Sequence, residues 1–270
     1  MKKRIIISIL LISLVGLSLA GCQKKSGEDN SLQYIKDNKK LVLGLDDTFV
    51  PMGFRDDNGD IIGFDIDLAT AVCEKLGVEL VLQPVEWKAK EQELATKNID
   101  CIWNGLSLTA KRKASMTMSK PYMVNNISLV VTGNSTITSM ADMAGKKLAV
   151  QGGSSAEEVL NEDANKDFLA SLAQVNPFDK YDTALMDVET GNSDAVLMDT
   201  VMAEYMITTI GKDFKILDET LLPDEFAVAF RKGDIKLCEA VEKAMSELKA
   251  DGTVAEISKK WFGADITTIE

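Results

Sequence analysis

Two series of alternating strand and helix patterns limit what this chain can fold into. The first series begins with the apolar run KLVLGL (residues 40–45) and continues with DIDLATAVCEKLG (residues 65–77), whose apolar residues recur at helical spacing. It then gives a strand, a helix and the strand IDCIW (residues 99–103). Repeats of strand, helix and strand form parallel sheets covered by helices, so this half of the chain predicts an α/β unit.

A second series of the same build follows from residue 127. Its predicted strands include ISLVVTG, KKLAVQ, SDAVLMD and FKILD, and helical patterns separate them. The segment EFAVAFRKG (residues 225–233) predicts a strand that could rejoin the first unit, and two predicted helices follow it at the end of the sequence. If this last segment rejoins the first unit, the second unit is an insertion joined by two crossing strands. Because ligands of open parallel sheets bind beyond the carboxyl ends of the strands, we expect one cleft lined by Asp46, Asn104, Gln151 and Asp199.

The N-terminus has the pattern of an export signal. An apolar run follows the three basic residues Lys2, Lys3 and Arg4. The run is shorter than the about 20 apolar residues that a transmembrane helix needs, and it ends in LAGC. This ending resembles the lipobox of bacterial lipoproteins. The resemblance implies that residues 1–21 are a signal peptide and that Cys22 carries a diacylglycerol anchor, with residues 22–30 as a flexible tether. An ordinary secretory signal is the alternative.

Composition excludes several classes of function. The chain carries a net charge of -12, which argues against nucleic-acid binding. It contains no histidine, so we expect neither a transition-metal site nor a hydrolase triad with a histidine base. Cys73 and Cys101 lie in apolar patterns that predict buried thiols, and a disulfide between two of Cys73, Cys101 and Cys238 remains open.

Four segments carry a family resemblance: DDTFVPMGFRDDNGDIIGFDIDLATAV, WNGLSLTAKRKASMTMSKPY, ADMAGKKLAVQGGSS and GNSDAVLMDT. In their order and spacing they resemble the polar amino-acid-binding proteins of bacterial ABC importers, and the resemblance spans nearly the whole mature chain. It implies an α/β fold of the two-lobed periplasmic-binding-protein type 2, or Venus flytrap, kind. Each lobe would be a mixed, mainly parallel sheet flanked by helices, joined by two crossing strands.

The resemblance also implies a division of the chain and a role. Lobe 1 would comprise residues 31–122 and 226–270, lobe 2 residues 126–221, and the hinge residues 122–126 and 222–226. The protein would be a monomeric lipoprotein on the extracytoplasmic face of the membrane, periplasmic in a cell with two membranes. It would capture a polar amino acid and deliver it to an ABC transporter permease, without a cofactor and without catalysis.

The stretch NGLSLTAKRK contains the candidate carboxylate site. Thr109 is placed to cap a helix, so the preceding residues form a loop at a strand end. Backbone N–H groups, the Ser107 hydroxyl and the planar guanidinium of Arg112 would suit a carboxylate. From the residues alone, Arg112 is equally well a solvated charge on a capped surface helix. The family resemblance assigns Gly105, Ser107 and Arg112 to the α-carboxylate of the ligand.

The complementary contact comes from Asp199, which ends an apolar strand. Its position also suits a plain helix cap, whereas the resemblance assigns it to the α-ammonium group of the ligand. Gln151, Ser154 and Ser155 match positions that supply further polar contacts from the second lobe. An arginine on one lobe and an aspartate on the other would bind the two charges of a zwitterion.

The ligand side chain is less constrained. Phe49 and Trp87 match positions that flank the ligand with aromatic faces, although either is equally well a core residue. Asp46 matches a position that contacts the ligand side chain in glutamine-binding relatives, and Asn104 replaces a smaller residue. Glutamine, arginine or lysine, and cystine all remain open.

Two other functions are compatible with the same sequence. A ligand-sensing lipoprotein would use the same amino-acid site to signal to a receptor. A dehydratase-like enzyme on this fold would need an acid of raised pKa facing the ligand, and Glu86 is the candidate.

Overall fold

The structure is a computed structural model that describes residues 28–270 of the 270-residue chain. The predicted signal peptide, Cys22 and residues 22–27 of the predicted tether lie outside the described residues. Within residues 28–270, none of the helices combines the length and apolar character that crossing a bilayer requires.

Strands and helices alternate through residues 28–270. The strands are β1 (Lys40–Leu45), β2 (Thr48–Phe49), β3 (Gly53–Arg55), β4 (Ile61–Ile62), β5 (Glu79–Pro84), β6 (Cys101–Ile102), β7 (Thr117–Met118), β8 (Met123–Thr132), β9 (Lys147–Gln151), β10 (Gln174–Phe178), β11 (Ala195–Asp199), β12 (Phe214–Phe226) and β13 (Ala229–Phe230).

The helices cover the sheets. They are α1 (Ser31–Asn38), α2 (Phe64–Leu76), α3 (Lys90–Ala95), α4 (Ala110–Ser115), α5 (Ser155–Leu160), α6 (Lys166–Ser171), α7 (Tyr181–Glu189), α8 (Thr200–Thr208), α9 (Ile235–Ala250) and α10 (Thr253–Phe262). Short 3-10 helices lie at Trp87–Ala89, Met140–Met143 and Asp163–Asn165.

The first lobe is built on a five-stranded sheet of order β5-β1-β6-β13-β7. Strand β1 pairs in parallel with β5 and β6, whereas β13 pairs antiparallel with β6 and β7. Leu41, Leu43 and Leu45 of β1 are fully buried, since the strand lies inside the sheet and helices cover it. The predicted α/β unit is therefore present, with a mixed sheet.

The second lobe has a sheet of the same size, of order β10-β9-β11-β8-β12. Strands β10, β9 and β11 are parallel, and β8 runs antiparallel to β11 and β12. In both lobes the parallel strands direct their carboxyl ends to one edge of the sheet, which is where ligands of α/β folds bind.

Two crossing strands connect the lobes, as predicted. Strands β8 and β12 pair antiparallel over their length, from Met123 opposite Phe226 at the lobe 1 end to Thr132 opposite Phe214. The chain then returns through β13 to the first sheet, and α9 and α10 pack beside α2. The predicted two-lobed α/β fold is confirmed.

Several local predictions differ from the structure. The predicted strand FKILD continues to Phe226, and the predicted single strand over residues 225–233 is divided between the end of β12 and the short β13. Pairing with β8 explains the extension, because a neighbouring strand satisfies backbone groups that the local sequence does not mark. The small sheet β2-β3-β4 was not predicted, since its strands are too short to show a periodicity.

The thiols of the described residues are free and buried. Cys73, Cys101 and Cys238 form no disulfide within residues 28–270, and the predicted burial of Cys73 and Cys101 is confirmed. Burial raises the pKa of Cys73 to about 12. These thiols therefore pack as small apolar side chains.

We expect Leu43→Ala to destabilise the protein by about 2 to 5 kcal/mol, because the shortened side chain leaves a cavity beside β1, an interior strand of the lobe 1 sheet. Thermal unfolding followed by circular dichroism should show a melting temperature several degrees below that of the wild type. Met186→Ala is the control, since Met186 is 61% exposed. Equal melting temperatures for the two variants would contradict this account of the core.

Candidate functional site

One small pocket lies between the lobes and contains most of the residues that the sequence predicts for a site. Nine of the eleven predicted ligand residues line it: Phe49, Trp87, Gly105, Ser107, Arg112, Gln151, Ser154, Ser155 and Asp199. The remaining two lie beside it. Asp46 accepts a hydrogen bond from the Gln151 side chain at 2.7 Å, and Asn104 accepts one from the Asp46 backbone N–H at 3.0 Å.

The ends of four strands position these side chains. Asp46 follows β1 and Ser107 lies in the loop after β6. On the facing lobe, Gln151 is the last residue of β9 and Asp199 the last of β11. The site therefore forms where the carboxyl ends of two parallel strand sets face each other, as the sequence predicts.

Arg112 is buried and incompletely paired. Thr109 caps helix α4 by accepting a hydrogen bond from the Arg112 backbone N–H at 3.2 Å, which fixes where the arginine projects. The side chain is 1% exposed, and Nη1 donates to the Ser107 carbonyl at 3.1 Å. Its Nε and Nη2 atoms make no hydrogen bond to any described residue, and Nη2 is 3.7 Å from Glu158.

This burial excludes the alternative of a solvated surface arginine. A guanidinium with two unused nitrogens at a pocket wall offers the donor pattern that a planar carboxylate accepts in a two-pronged fashion. The Ser107 hydroxyl lies in the same wall, where it donates to the Ser155 hydroxyl of the other lobe at 2.7 Å.

Gly105 serves the pocket through its lack of a side chain, and its N–H group is not free to bind a ligand. The N–H donates to the carboxylate of Asp65 at 2.7 Å, so it is already paired. The backbone has φ +57°, and a Cβ atom here would lie 2.7 Å from the Phe49 ring. Only glycine therefore fits between the aromatic wall and this loop.

Asp65 was not among the predicted site residues, although it holds the loop in place. Its Oδ2 atom accepts hydrogen bonds from Gly105 and from the Tyr122 hydroxyl at 3.0 Å, and Oδ1 has no partner among the described residues. Burial raises the pKa of Asp65 to about 7. In the sequence it is one of the two acids in GFDIDLA, and nothing in that pattern distinguishes it from a surface acid at a helix start.

Asp199 provides a buried acceptor on the second lobe. The side chain makes no capping hydrogen bond to α8, which removes the alternative of a plain helix cap. Instead it accepts from Asn125 Nδ2 at 2.7 Å, and the same Nδ2 donates to Asp224 at 3.0 Å. Burial and the nearby Asp224 raise the pKa of Asp199 to about 7, so a cation placed beside it would restore the charged form.

Aromatic side chains form two walls of the pocket. The Phe49 ring lies 5.9 Å from the ring of Tyr181, which belongs to lobe 2. Trp87 is 7% exposed, and the ammonium of Lys90 lies 4.7 Å from its ring centroid. Neither Tyr181 nor Lys90 was predicted; Lys90 sits in a charged helical pattern that suggests a surface residue.

The acids near the predicted side-chain region are already engaged. Asp46 accepts hydrogen bonds from Thr48 and Gln151, and burial raises its pKa. Asp47 pairs with Lys180 at 3.1 Å and with Arg55 at 2.6 Å. Lys180 and Arg55 therefore offset the acidic charge of Asp47 at this end of the site.

The lobes are closed over the pocket. Besides the contact between the two serines, Lys88 pairs with Asp179 across the cleft at 2.6 Å, and Gln151 bridges to Asp46. The walls nearly fill the pocket, so entry of a small molecule requires the lobes to separate. Residues 28–270 show no group of three acidic or cysteine side chains placed to hold a metal ion.

The fold and the site define a two-lobed binding protein, and comparison with known sequences gives its family. The family model for bacterial extracellular solute-binding proteins, family 3, matches residues 41–264. The chain belongs to this family, which confirms the predicted resemblance.

Its relatives bind several amino acids. The chain is 32% identical to the L-cystine-binding protein TcyJ of Escherichia coli (strain K12), with 98% of this chain and 97% of the relative covered. It is 31% identical to the lysine/arginine/ornithine-binding periplasmic protein of the same organism, covering 96% and 98%. Among solved structures, an ABC uptake transporter substrate binding protein from Streptococcus pneumoniae with bound histidine gives a TM-score of 0.85 at 40% identity, covering 89% and 98%.

We expect Asp65→Asn to change how stability depends on pH. Folding raises the pKa of Asp65, so the folded protein keeps a proton that the unfolded chain loses, and Asp65 makes the protein less stable as pH rises from about 4 to about 7. Asparagine removes this dependence, while its carbonyl can still accept from Gly105 and Tyr122. Urea unfolding across this pH range should show that the free energy of unfolding of the variant, relative to that of the wild type, increases up to about pH 7 and is constant above it.

The exposed Asp57 supplies the control for this experiment. The free energy of unfolding of Asp57→Asn should differ from that of the wild type by the same amount at every pH of this range. A constant difference for Asp65→Asn as well would contradict the burial of a carboxyl group with raised pKa at this position.

Proposed function

We propose that this protein captures a polar amino acid outside the cytoplasm and delivers it to the permease of an ABC importer. The observation that carries the proposal is the pairing of two buried, incompletely neutralised charges across one pocket. Two guanidinium nitrogens of Arg112 on lobe 1 make no hydrogen bond to the described residues, and Asp199 on lobe 2 is a buried carboxyl group of raised pKa. A zwitterion bound between the lobes supplies a carboxylate to Arg112 and an ammonium group to Asp199.

The α-carboxylate binds to Arg112 and Ser107. Hydrogen bonds to charged groups contribute roughly 1.5 to 3 kcal/mol each, so a two-pronged arginine contact and one hydroxyl would hold a small ligand. The α-ammonium binds to Asp199, whose carboxyl group ionises when a cation lies beside it. Gln151, Ser154 and Ser155 add polar contacts from lobe 2, and Gly105 leaves room for the carboxylate.

The side chain of the ligand lies between Phe49 and Trp87 and reaches towards Asp46 and Asn104. Relatives that bind cystine, histidine or basic amino acids support a polar amino acid. Lys180 and Arg55 neutralise part of the acidic charge at this end of the site, which leaves glutamine and cystine as candidates beside the basic amino acids.

Opening and closing occur about the two crossing strands. We place the hinge at residues 122–126 and 222–226, where β8 and β12 leave lobe 1. Lobe 1 then comprises residues 31–122 and 226–270, and lobe 2 residues 126–221. A ligand shifts this equilibrium only through contacts that it makes in the closed form, which here come from both lobes.

The proposed role is binding without turnover. Glu86, the acid that a dehydratase-like reaction would use, is exposed and does not line the pocket. The bound amino acid should therefore be recovered chemically unchanged after prolonged incubation with the protein, as measured by mass spectrometry. A new product would favour the enzyme.

The amino acid should be identified by thermal unfolding of residues 23–270, after unfolding and refolding to remove carried-over ligand. A ligand at about 100 times its dissociation constant adds roughly 2.7 kcal/mol of stability, so the melting temperature should rise by several degrees. The panel contains the common amino acids, cystine and ornithine. We expect a rise with one or a few of them, and loss of that rise in Arg112→Ala and in Asp199→Ala.

Lys111→Ala is the matched control. Lys111 lies next to Arg112 on α4, its side chain is 71% exposed, and it contacts Glu158 only at 3.4 Å. This variant should keep the full rise in melting temperature. A rise that persists in Arg112→Ala and Asp199→Ala would show that the ligand binds elsewhere, and no rise with any amino acid would refute the proposed function.

We further propose that the mature protein is a monomer held at the membrane by a lipid on Cys22. The support is the export signal and the LAGC ending, since residue 22 lies outside the described residues. Two acyl chains give stable anchoring. The native full-length protein should sediment with membranes, and Cys22→Ser should release it into the soluble extracytoplasmic fraction; a variant that stays with the membranes would exclude this anchor.

A further inference from the structure

Lys90 is a buried lysine at the contact between the lobes. It is the first residue of α3, and only 2% of its surface is exposed. Lysine is almost never fully buried unless it is paired, because transfer of an ammonium group out of water is costly. Its position therefore requires an explanation.

The ammonium group is held between the two lobes. Lys90 Nζ donates to the carbonyl of Trp87 at 3.1 Å and to the carbonyl of Gly153 at 2.7 Å, and it lies 4.7 Å from the Trp87 ring centroid. The two carbonyls accept hydrogen bonds from two of the three N–H groups of the ammonium, and among the described residues the third N–H group has only the Trp87 ring beside it. Gly153 belongs to lobe 2, so this contact is present only when the lobes are closed.

The surrounding backbone excludes water from this contact. Gly153 has φ +75°, and a Cβ atom there would lie 2.8 Å from Lys88 Cα, so the two lobes touch backbone to backbone. The Gly153 N–H donates to Glu157, which fixes the direction of the loop. Opening the lobes breaks this packing and exposes the ammonium to solvent.

No carboxylate neutralises Lys90 in the closed form. Among residues 28–270, no acidic side chain lies within salt-bridge distance of its Nζ. The charged groups that face it are Arg112 and Lys111, which disfavour its charge, and Glu91 and Glu158, which favour it. Burial, followed by the charge of Arg112, lowers the pKa of Lys90 to about 7.

We propose that Lys90 is a positioning residue of the binding site, which joins the Trp87 wall to Gly153 of the opposite lobe and gives up a proton to the solvent as the lobes close. One N–H bond of the ammonium breaks, the proton passes to a buffer base, and the neutral amine keeps two N–H groups for the two carbonyls. This inference rests on the proposed function, because it concerns closure on an amino acid.

Closure of the lobes depends on Lys90 within a defined pH range. In the open form water reaches the amine, whose pKa is then near its ordinary value of 10.5. Between about pH 7 and pH 10, closure releases a proton and becomes more favourable as pH rises, whereas below about pH 6 both forms keep the proton. Lys90 therefore makes ligand affinity increase with pH above neutrality.

Isothermal titration calorimetry in two buffers of different protonation enthalpy counts the protons released on binding. The probe is whichever of L-cystine, L-histidine, L-arginine and L-glutamine gives the largest rise in the melting temperature of the wild type. At about pH 8.5 we expect Lys90→Met to release about one proton fewer per bound ligand than the wild type. Its affinity should also rise less between about pH 6.5 and about pH 8.5 than that of the wild type.

Lys88→Met is the matched control, because Lys88 is two residues away and pairs across the cleft with Asp179 while its side chain is 62% exposed. It should release as many protons as the wild type. Lys90→Gln, a neutral side chain that keeps a donor, should behave as Lys90→Met does and replaces it if that variant does not fold, as judged by circular dichroism.

The outcomes separate this inference from the proposed function. If the wild type binds an amino acid and the Lys90 variants release the same number of protons, Lys90 keeps its proton and the inference is overturned. If the wild type binds none of the amino acids in the full panel, the proposed function fails, and the inference fails with it.

Discussion

The buried guanidinium of Arg112 is the group on which the site depends. Its only hydrogen bond to the described residues goes from Nη1 to a carbonyl of its own loop, and a buried charge with missing partners costs several kcal/mol. Asp199 is a buried carboxyl group with too few donors, because it shares the single Nδ2 atom of Asn125 with Asp224. Each lobe thus carries a charge that it does not neutralise by itself. A zwitterion supplies both missing partners at once, which makes closure around a ligand more favourable than either contact alone.

Closure also has contacts of its own. The hydroxyls of Ser107 and Ser155 meet directly, and Gln151 reaches Asp46, so the lobes form polar contacts without help from a ligand. A ligand stabilises the closed form only by the amount that its contacts exceed those it displaces. The neutral hydroxyl pair is a weak contact compared with a carboxylate bound to a buried arginine, and the exchange therefore favours the liganded form.

The sequence predicts the parts of the site that follow from strand order. Apolar runs such as KLVLGL mark buried strands, and polar residues at their ends meet because parallel strands share one edge. Family resemblance then assigns Arg112 and Asp199 to opposite charges. What the sequence does not show are the contacts between distant segments: the N–H of Gly105 is taken by Asp65, and the ammonium of Lys90 meets Gly153. The local sequence around Asp65 and around Lys90 does not differ from that of a surface residue, because elements far away in the chain bury both side chains.

Two titrating groups act in opposite directions as the lobes close. Without a ligand, closure raises the pKa of Asp199 to about 7 and lowers that of Lys90 to about 7. Closure therefore takes up a proton at Asp199 below about pH 7 and releases one from Lys90 above about pH 7. The α-ammonium of a ligand takes the place of the proton on Asp199 and leaves its carboxylate ionised. Above neutrality, closure without a ligand leaves Asp199 ionised and unpaired beside Asp224, which is costly, whereas closure with a ligand avoids that cost. The same buried pair of carboxyl groups that makes the site electrostatically incomplete therefore also discriminates against an empty closed form.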